Sequence, residues 1–248
     1  MTHLRNAVDE KYRTRALKQG VELKIAYQPG FPKAQKIVAH DGSFTIQLNS
    51  DVIDEADYET YLSYNVRKIV LPQLRLEMDR LVLRPFGRDD AEAYFAFCSD
   101  WENAWMDSGE VYSHMDDGYA RLMDSFADQL RYSILLKESN HVIGTIHLMD
   151  VTDRAVETME IGYNIAPRYK RHGYAFEALS ALLHELLWEL NLDMVIAGAF
   201  PDNVPSLALL EKLGFQYEGL RHKAFWNPMR GPTDLKYYYL EKPSAHEV

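Results

Sequence analysis

The pattern of hydrophobic and polar positions is clearest in residues 160–190. Up to Ile165, apolar and polar side chains alternate with a period of two, as in a β-strand, and Pro167 ends the alternation. After a short turn, apolar residues recur at helical spacing, at Ala175, Ala178, Leu179, Leu182, Leu183, Leu186 and Leu187. The pattern therefore predicts a strand that leads into a long helix.

The turn between this strand and this helix carries one glycine and three basic residues. Gly173 allows a tight turn, and the basic residues are Lys170, Arg171 and His172. Free N–H groups at the start of a helix, the positive end of its dipole and basic side chains together attract phosphate. The alternative is an ordinary connection with solvated basic residues. The stretch alone leaves both interpretations open.

Other alternating segments predict the remaining strands of a mixed sheet. They lie around Leu81 and Leu83, in residues 132–138, 141–151 and 193–200, and in a final hairpin within residues 217–240. After Asp193, the segment 193–200 is continuously apolar, which is typical of a strand buried on both faces. Two further helices are predicted, one that begins at Asp89-Asp90 and one that runs from about Asn203 to Gly214.

Residues 1–72 show a different arrangement and are predicted to form a small α+β unit beside a larger domain at 73–248. The pattern predicts a helix ended by Gly20, a strand, a hairpin about Asp41-Gly42 and a second helix closed by Pro72. No catalytic motif is recognisable in this part. We interpret it as a structural, dimerising or substrate-guiding appendage, which leaves a homodimer as an open alternative.

Composition and charge narrow the function classes. The 248 residues carry a net charge of -10 and a pI near 5.4, so we expect no nucleic-acid partner. No apolar run approaches the roughly 18 residues of a membrane span, so we expect a soluble, cytoplasmic protein without a membrane partner. The single cysteine, Cys98, excludes an internal disulfide and a multi-cysteine zinc cluster, and no metal site is predicted.

The strand, turn and helix of residues 160–190 resemble motif A of the GNAT superfamily of N-acetyltransferases. In that family the loop that binds the pyrophosphate of acetyl-CoA follows the pattern Q/R-x-x-G-x-G/A, which Lys170, Gly173 and Ala175 match. Lysine at the first position is a mild departure, and Arg171 stands where many members carry another glycine. The resemblance implies that residues 170–175, from Lys170 through Arg171, His172, Gly173 and Tyr174 to Ala175, bind acetyl-CoA, and that backbone groups near Ile165 bind its pantetheine arm.

Two further segments strengthen the resemblance. Glu77, Arg80, Leu81, Leu83, Arg84 and Pro85 match the opening E-T-x-R-L-x-L-R-P of the ribosomal-protein N-terminal acetyltransferases and their relatives. Asn203, Ser206, Glu211, Lys212, Gly214 and Phe215 match the signature N-x-x-S-x-x-x-x-E-K-x-G-F. The resemblance covers about residues 75–242. It implies the α/β (α+β) GNAT fold, a central mixed, mostly antiparallel sheet flanked by helices, whose two central strands separate.

Acetyl transfer requires a base for the amine and a hydrogen-bond donor for the departing thiolate. Glu160 is the carboxylate best placed to be the base, with Glu157 as a weaker second. Glu160 could instead be an edge-facing charge or part of an N-terminal ion pair. Many GNAT enzymes use a tyrosine as donor at the position of Leu210. Ser206 lies about one helical turn earlier, so we expect Ser206 to be the thiolate partner, unless it only satisfies an amide of the first turn.

The sequence thus predicts an N-acetyltransferase that moves the acetyl group of acetyl-CoA to a primary amine of a protein N-terminus or small molecule. We expect direct transfer in a ternary complex, with Asn203 as a cofactor contact. The alternatives are a polyamine or aminoglycoside acceptor, and a non-catalytic acyl-CoA sensor. Aromatic residues that could form one wall of the acceptor site, although core positions are the commoner role, are Trp101, Trp105, Tyr112, Tyr119 and Phe126.

Overall fold

The computed structural model describes residues 2–30, 33–106 and 130–242, and its contacts divide the chain into two compact units. The first unit comprises Met1–Leu74 and the short segment Trp188–Leu192. The second comprises Arg75–Leu187 and Asp193–Val248. The predicted boundary at residue 72 lies close to this division, but the sequence did not indicate that 188–192 would join the first unit. Whether residues 1–72 form a domain of their own stays a prediction.

The first unit is a three-stranded sheet with two helices. Its elements are α1 (Thr2–Lys18), β1 (Glu22–Gln28), β2 (Gln35–His40), β3 (Ser43–Asn49) and α2 (Tyr58–Val70). The strand order is β1-β3-β2, with β3 antiparallel to β2 and parallel to β1. Gly42 turns the β2–β3 hairpin with φ +71°. The core includes Tyr12, Ile46 and Leu62, all fully buried, and the predicted helices and hairpin of this unit are confirmed.

The end of the predicted long helix differs from the prediction. The helix is regular only over α5 (Tyr174–His184), and Glu185–Glu189 form a wider π-helical turn. Nη1 of Arg67 donates hydrogen bonds to the carbonyl oxygens of Leu190, at 2.7 Å, and Asn191, at 3.1 Å. These bonds satisfy carbonyl groups that a helix end otherwise leaves without a partner.

The second unit is built on one eight-stranded sheet. Its strands are β4 (Leu76–Glu77), β5 (Leu81–Pro85), β6 (Leu130–Leu136), β7 (Val142–Val151), β8 (Thr158–Ile165), β9 (Met194–Ala199), β10 (Gln216–Asn227) and β11 (Gly231–Glu241). The order is β10-β11-β9-β8-β7-β6-β5-β4, and only the β8–β9 pair is parallel. The predicted mixed, mostly antiparallel sheet is therefore confirmed.

Helices flank this sheet. They are α3 (Ala91–Cys98), α4 (Trp101–Met106), α5 and α6 (Val204–Lys212). Asp90, at the start of α3, receives hydrogen bonds from Arg84 at 2.6 and 2.7 Å, from Ser133 at 2.7 Å and from the Gly87 amide at 2.8 Å. Burial raises the pKa of Asp90, but these hydrogen bonds outweigh it and leave the pKa below its ordinary value. The network fixes α3 to β5 and β6.

The two central strands separate along their length. The β8–β9 ladder contains three residue pairs, from Thr158–Met194 to Glu160–Ile196. Beyond Glu160, β8 continues to pair with β7, and β9 continues to pair with β11. Because side chains alternate along a strand, Glu160 and Tyr163 lie on opposite faces of β8 where the separation begins.

Candidate active site

The loop after β8 has the backbone of a tight anion-binding turn. Arg171 has φ +65° and Gly173 has φ +81°, both in the left-handed region that favours glycine. Gly173 is the N-cap of α5, so the free N–H groups of that helix begin directly after it. The left-handed φ of Arg171 also explains why glycine fits this position in many proteins that share the pattern.

The side chains of the loop differ in their exposure to solvent. Lys170, Arg171 and His172 are exposed, whereas Tyr174 and Ala175 are half-buried. Nδ1 of His172 is 2.7 Å from the carbonyl oxygen of Lys170, and the His172 ring stacks on Tyr174 with the ring centroids 5.6 Å apart. The imidazole therefore supports the shape of the loop.

Arg80, the residue before β5, hydrogen-bonds both to the loop and to Glu177 of α5. Its Nε donates to Oε2 of Glu177 at 2.7 Å, and its backbone amide donates to Oε1 at 2.9 Å. Nη1 donates to the carbonyl oxygen of His172 at 3.0 Å, and the guanidinium lies 4.7 Å from the centre of the Tyr174 ring. A Cβ at Gly173 would lie 3.5 Å from Nη2 of Arg80. The family pattern that Arg80 matches does not predict this contact.

Glu160 is surrounded by groups from three other strands. Its carboxylate is hydrogen-bonded to Tyr237 of β11 and is close to the positive charge of Arg221 of β10. The Arg221 guanidinium lies 4.2 Å from the centre of the Tyr237 ring. Gly198 of β9 leaves room for this cluster, because a Cβ there would lie 3.3 Å from Cζ of Tyr237 and 3.5 Å from Oε1 of Glu160.

Burial dominates the electrostatics of Glu160. It raises the pKa of Glu160 above the ordinary value, although the Tyr237 hydrogen bond and Arg221 oppose the shift. Asp153 adds to the increase, and it also forms a loose ion pair with Arg221 at 4.0 Å. Burial likewise raises the pKa of Tyr237, so its hydroxyl stays protonated and donates to the carboxylate. A carboxylate with a raised pKa is a stronger base.

His147 shares the face of the sheet that carries Glu160. Register places Met149 opposite Glu160 and His147 opposite Gly162. A Cβ at Gly162 would lie 2.2 Å from the His147 ring, so the imidazole occupies the space above that glycine. Burial and the charge of Arg131 lower the pKa of His147 to about 4. The imidazole is therefore neutral at physiological pH.

Ser206 and Asn203 lie at the start of α6. Asn203 is the N-cap, and its Oδ1 accepts from the Ser206 amide at 3.3 Å. Oγ of Ser206 lies 2.7 Å from Oη of Tyr163 on β8. Leu210, the position of the family's usual tyrosine, is only 1% exposed and lies in the core. The phenol beside Ser206 is instead that of Tyr163 on β8. The sequence did not predict this contact.

The other predicted residues lie before β8 and in α4. Glu157 immediately precedes β8, three residues before Glu160. The end of α4 contacts Asn203, whose Nδ2 donates to the carbonyl oxygen of Met106 at 3.3 Å. Trp101 and Trp105 stack with their ring centroids 5.3 Å apart, and Trp101 is 59% exposed. The aromatic residues Tyr112, Tyr119 and Phe126 lie outside the described residues.

Within the described part of the chain, no helix is both long and apolar enough to cross a membrane. Nor do residues 2–30, 33–106 and 130–242 contain a group of three or more histidine, cysteine, aspartate or glutamate residues that could hold a metal ion.

Comparison with known proteins gives the same assignment for sequence and fold. Residues 80–216 match the family profile described as an acetyltransferase (GNAT) domain. The N-acetyltransferase YoaA of Bacillus subtilis (strain 168) is 35% identical over 175 residues, which cover 68% of this chain and 97% of YoaA. The chain belongs to the GNAT acetyltransferase family.

Two further GNAT relatives agree with this assignment. The ribosomal protein uS5-alanine N-acetyltransferase of Escherichia coli (strain K12) is 26% identical over 159 residues, which cover 60% of this chain and 81% of that protein. A GNAT-family acetyltransferase structure from Bacillus anthracis superposes with a TM-score of 0.58 at 27% identity, covering 68% of this chain and 98% of that one. The predicted family and fold are confirmed, and the chain is an acyltransferase.

The described residues of this GNAT domain fit acetyl-CoA, the cosubstrate that the family uses. The left-handed turn at Arg171 and Gly173 opens onto the start of α5, and β8 and β9 part from Glu160 onward. Ile165 lies at the end of β8, next to that turn. The particular contacts assigned to residues 165, 170–175 and 203 stay predictions.

Proposed function

We propose that this GNAT enzyme transfers the acetyl group of acetyl-CoA directly to the primary amine of a protein N-terminus or a small molecule, in a ternary complex. The observation that carries the proposal is the position of Glu160. This half-buried carboxylate with a raised pKa is the last β8 residue paired with β9. A base at the point where the strands part can receive a proton from an amine that meets the acetyl group there.

The loop and the strands divide the task of binding. Basic residues 170–172 and the N–H groups after Gly173 would hold the pyrophosphate, while backbone near Ile165 and the side chain of Asn203 would hold the pantetheine arm. Bound acetyl-CoA supplies the activated thioester. Holding both reactants in one site removes much of the entropic barrier to their reaction.

Glu160 would act on the attacking amine and Ser206 on the departing sulfur. The amine is protonated in water, so Glu160 accepts a proton, directly or through a water molecule, before or during attack. Ser206 donates a hydrogen bond to the sulfur as negative charge develops there. The single cysteine, Cys98, ends α3 outside both motifs, which supports direct transfer over an acyl-cysteine intermediate.

Replacement of Glu160 by glutamine tests the base. We expect kcat/KM to fall about 10²- to 10⁴-fold, the usual contribution of a general base, while the Kd for acetyl-CoA, measured by calorimetry, stays within about twofold because the loop is unchanged. Glu157→Gln is the matched control and should leave kcat/KM nearly unchanged. Full activity in Glu160→Gln would overturn the assignment.

The pH dependence provides a second test of Glu160. Its protonated form cannot accept a proton, so activity is lost as the pH falls below its pKa. Because burial raises that pKa, the acidic limb of kcat/KM should lie above the value of about 4.3 typical of glutamate. His147, with a pKa of about 4, stays neutral across this limb. The Glu160→Gln variant should lack the limb.

The charges near Glu160 are of both signs and leave both acceptor classes open. Arg221, 46% exposed at its side chain, places a positive charge close to this carboxylate and would repel the several positive charges of a polyamine or aminoglycoside. Asp153, which pairs with Arg221 at 4.0 Å, would attract them. Initial rates with peptides, polyamines and aminoglycosides separate these acceptors. A preference for polyamines would identify the rival acceptor class, and no turnover with any amine would favour the sensor.

A further inference from the structure

A pair of hydroxyl groups lies on the face of β8 opposite to Glu160. Oη of Tyr163 is 2.7 Å from Oγ of Ser206 and 3.4 Å from the Ser206 carbonyl oxygen. Tyr163 follows Glu160 by three residues, beyond the last β8–β9 pair. The pair therefore connects β8 to the first turn of α6 where the central strands have separated.

The surroundings of the pair settle which groups are protonated. Burial raises the pKa of Tyr163 to about 12, so its phenol keeps its proton at neutral pH. Ser206 is held from its other side, since its amide donates to Oδ1 of Asn203. A serine hydroxyl has one proton and two lone pairs. If Tyr163 donates to Ser206, the serine proton is free to point elsewhere.

We propose that Tyr163 is a positioning residue that donates a hydrogen bond to Ser206 and thereby directs the serine proton toward the departing sulfur of acetyl-CoA. The inference rests on the proposed function, because it assumes that Ser206 faces the sulfur. It deepens that function by naming a second hydroxyl, from a strand, that controls the donor.

The chemical step balances without a proton from Tyr163. The ammonium group first loses one proton to water through Glu160. The neutral nitrogen then forms a bond to the acetyl carbon, the C–S bond breaks, and its electron pair stays on sulfur. The second proton that the nitrogen loses passes to Glu160, and the sulfur leaves as a thiolate that accepts a hydrogen bond from Ser206. A thiol has a pKa of about 8.5, well below that of the buried phenol, so Tyr163 acts through hydrogen bonding and keeps its proton.

The first test is Tyr163→Phe, which keeps the ring and removes the hydroxyl. We expect kcat to fall about tenfold, less than the 10²–10³ typical of losing a direct donor, with the Kd for acetyl-CoA unchanged. Tyr238→Phe is the matched control: Tyr238 is 4% exposed, and its hydroxyl donates to Glu211 on α6, the helix of Ser206, at 3.3 Å. The control should retain kcat.

The second test reads the thiolate directly. Free CoA is bound to the enzyme and titrated while the ultraviolet absorbance of its thiolate is followed. The pKa of the bound thiol should lie below about 8.5, the value for a free thiol, and it should rise in Tyr163→Phe and Ser206→Ala but not in Tyr238→Phe. A merely structural role of Tyr163 would not move this pKa selectively.

A double variant decides whether Tyr163 acts through Ser206. Tyr163→Phe combined with Ser206→Ala should have the kcat of Ser206→Ala alone, because the two hydroxyls form one unit. Additive losses, or an unchanged thiol pKa in Tyr163→Phe, would overturn the proposal. The titration needs no amine, so failure of the proposed acetyl transfer, seen as no turnover while CoA still binds, is distinguishable from failure of the hydroxyl pair.

Discussion

The two halves of the site, the phosphate loop and the surroundings of Glu160, are built in different ways. The loop is contiguous, and its path follows from left-handed φ values at Arg171 and Gly173. The surroundings of Glu160 come from separate strands, with Tyr237 brought opposite Gly198 by the β9–β11 register. The residues that form the phosphate loop are therefore neighbours in the sequence. The surroundings that shift the pKa of Glu160 depend instead on strand register.

Even the contiguous loop depends on one distant residue. Arg80 contacts both the loop carbonyl of His172 and the carboxylate of Glu177. We expect changes in the loop backbone to affect binding of acetyl-CoA, and changes around Glu160 to affect kcat.

The largest effect on binding is expected for Gly173→Val. A non-glycine residue in the left-handed region costs about 1–2 kcal/mol, more when β-branched. The new Cβ would make only an ordinary van der Waals contact with Arg80, so the strain comes from the backbone. The loop should therefore leave its present path. Since about 1.4 kcal/mol corresponds to tenfold in Kd, calorimetry should show the Kd for acetyl-CoA rising at least tenfold.

Gly42→Val is the control for this variant. Gly42 has φ +71° and no atom within 4 Å of an added Cβ, and it lies in the β2–β3 hairpin of the first unit. Valine there imposes a similar backbone strain in a different turn of the chain and should leave the Kd unchanged. Equal Kd values for both variants and the parent would show that the loop does not bind the cosubstrate.

The sequence predicted those parts of the molecule in which local pattern dictates structure. Alternation predicted the strands, and the capped segment after Asn203 predicted α6. The run Tyr237–Tyr239 shows by alternation that its first and third residues share a face, but nothing local says that Tyr237 lies opposite Gly198. The contacts of Tyr163 with Ser206 and of Arg80 with His172 likewise join residues far apart in the chain.

The sequence also did not predict which surfaces its apolar residues would cover. The family pattern directed attention to Leu210 as the place of a missing phenol, yet Leu210 is in the core. Helical periodicity gave one helix up to Leu190, whereas the last turns are π-helical and residues 188–192 belong to the first unit. Periodicity indicates which face is apolar, but it does not say which surface that face covers.

The next effect is expected for Gly198→Ala, which disturbs the assembled half of the site. The added Cβ would lie 3.3 Å from Cζ of Tyr237, close enough to shift that ring by tenths of an ångström and to disturb its hydrogen bond to Glu160. A misplacement of about 1 Å can cost 10²-fold in rate, so we expect kcat to fall about tenfold. Gly219→Ala, where nothing lies within 4 Å, is the control in steady-state assays. If both variants behave alike, Glu160 does not require its present position.

A smaller effect is expected for Arg80→Met, which removes the side-chain hydrogen bonds to His172 and Glu177 and keeps much of the side-chain bulk. The Arg80 side chain is 49% exposed, so its ion pair with Glu177 is partly screened and contributes at most about 1 kcal/mol. The Kd for acetyl-CoA should rise about fivefold, with kcat nearly unchanged. Arg75→Met, which removes an exposed pair with Glu77, should not affect the Kd. A fall in kcat without a change in Kd would contradict a role of Arg80 in holding the loop.

The smallest effect is expected at Arg171, where two contributions oppose each other. Arg171→Gly relieves about 1–2 kcal/mol of left-handed strain but adds about 0.5–1 kcal/mol of chain entropy in the unfolded state, so the free energy of unfolding should rise by at most about 1.5 kcal/mol. It also removes an exposed positive charge, which should raise the Kd for acetyl-CoA less than about fivefold and only at low salt. Arg171→Asn separates the two contributions, because asparagine tolerates this conformation but carries no charge. It should match glycine in Kd at every salt concentration, and a Kd that differed between the two variants would mean that the backbone at this position, rather than the charge, controls binding.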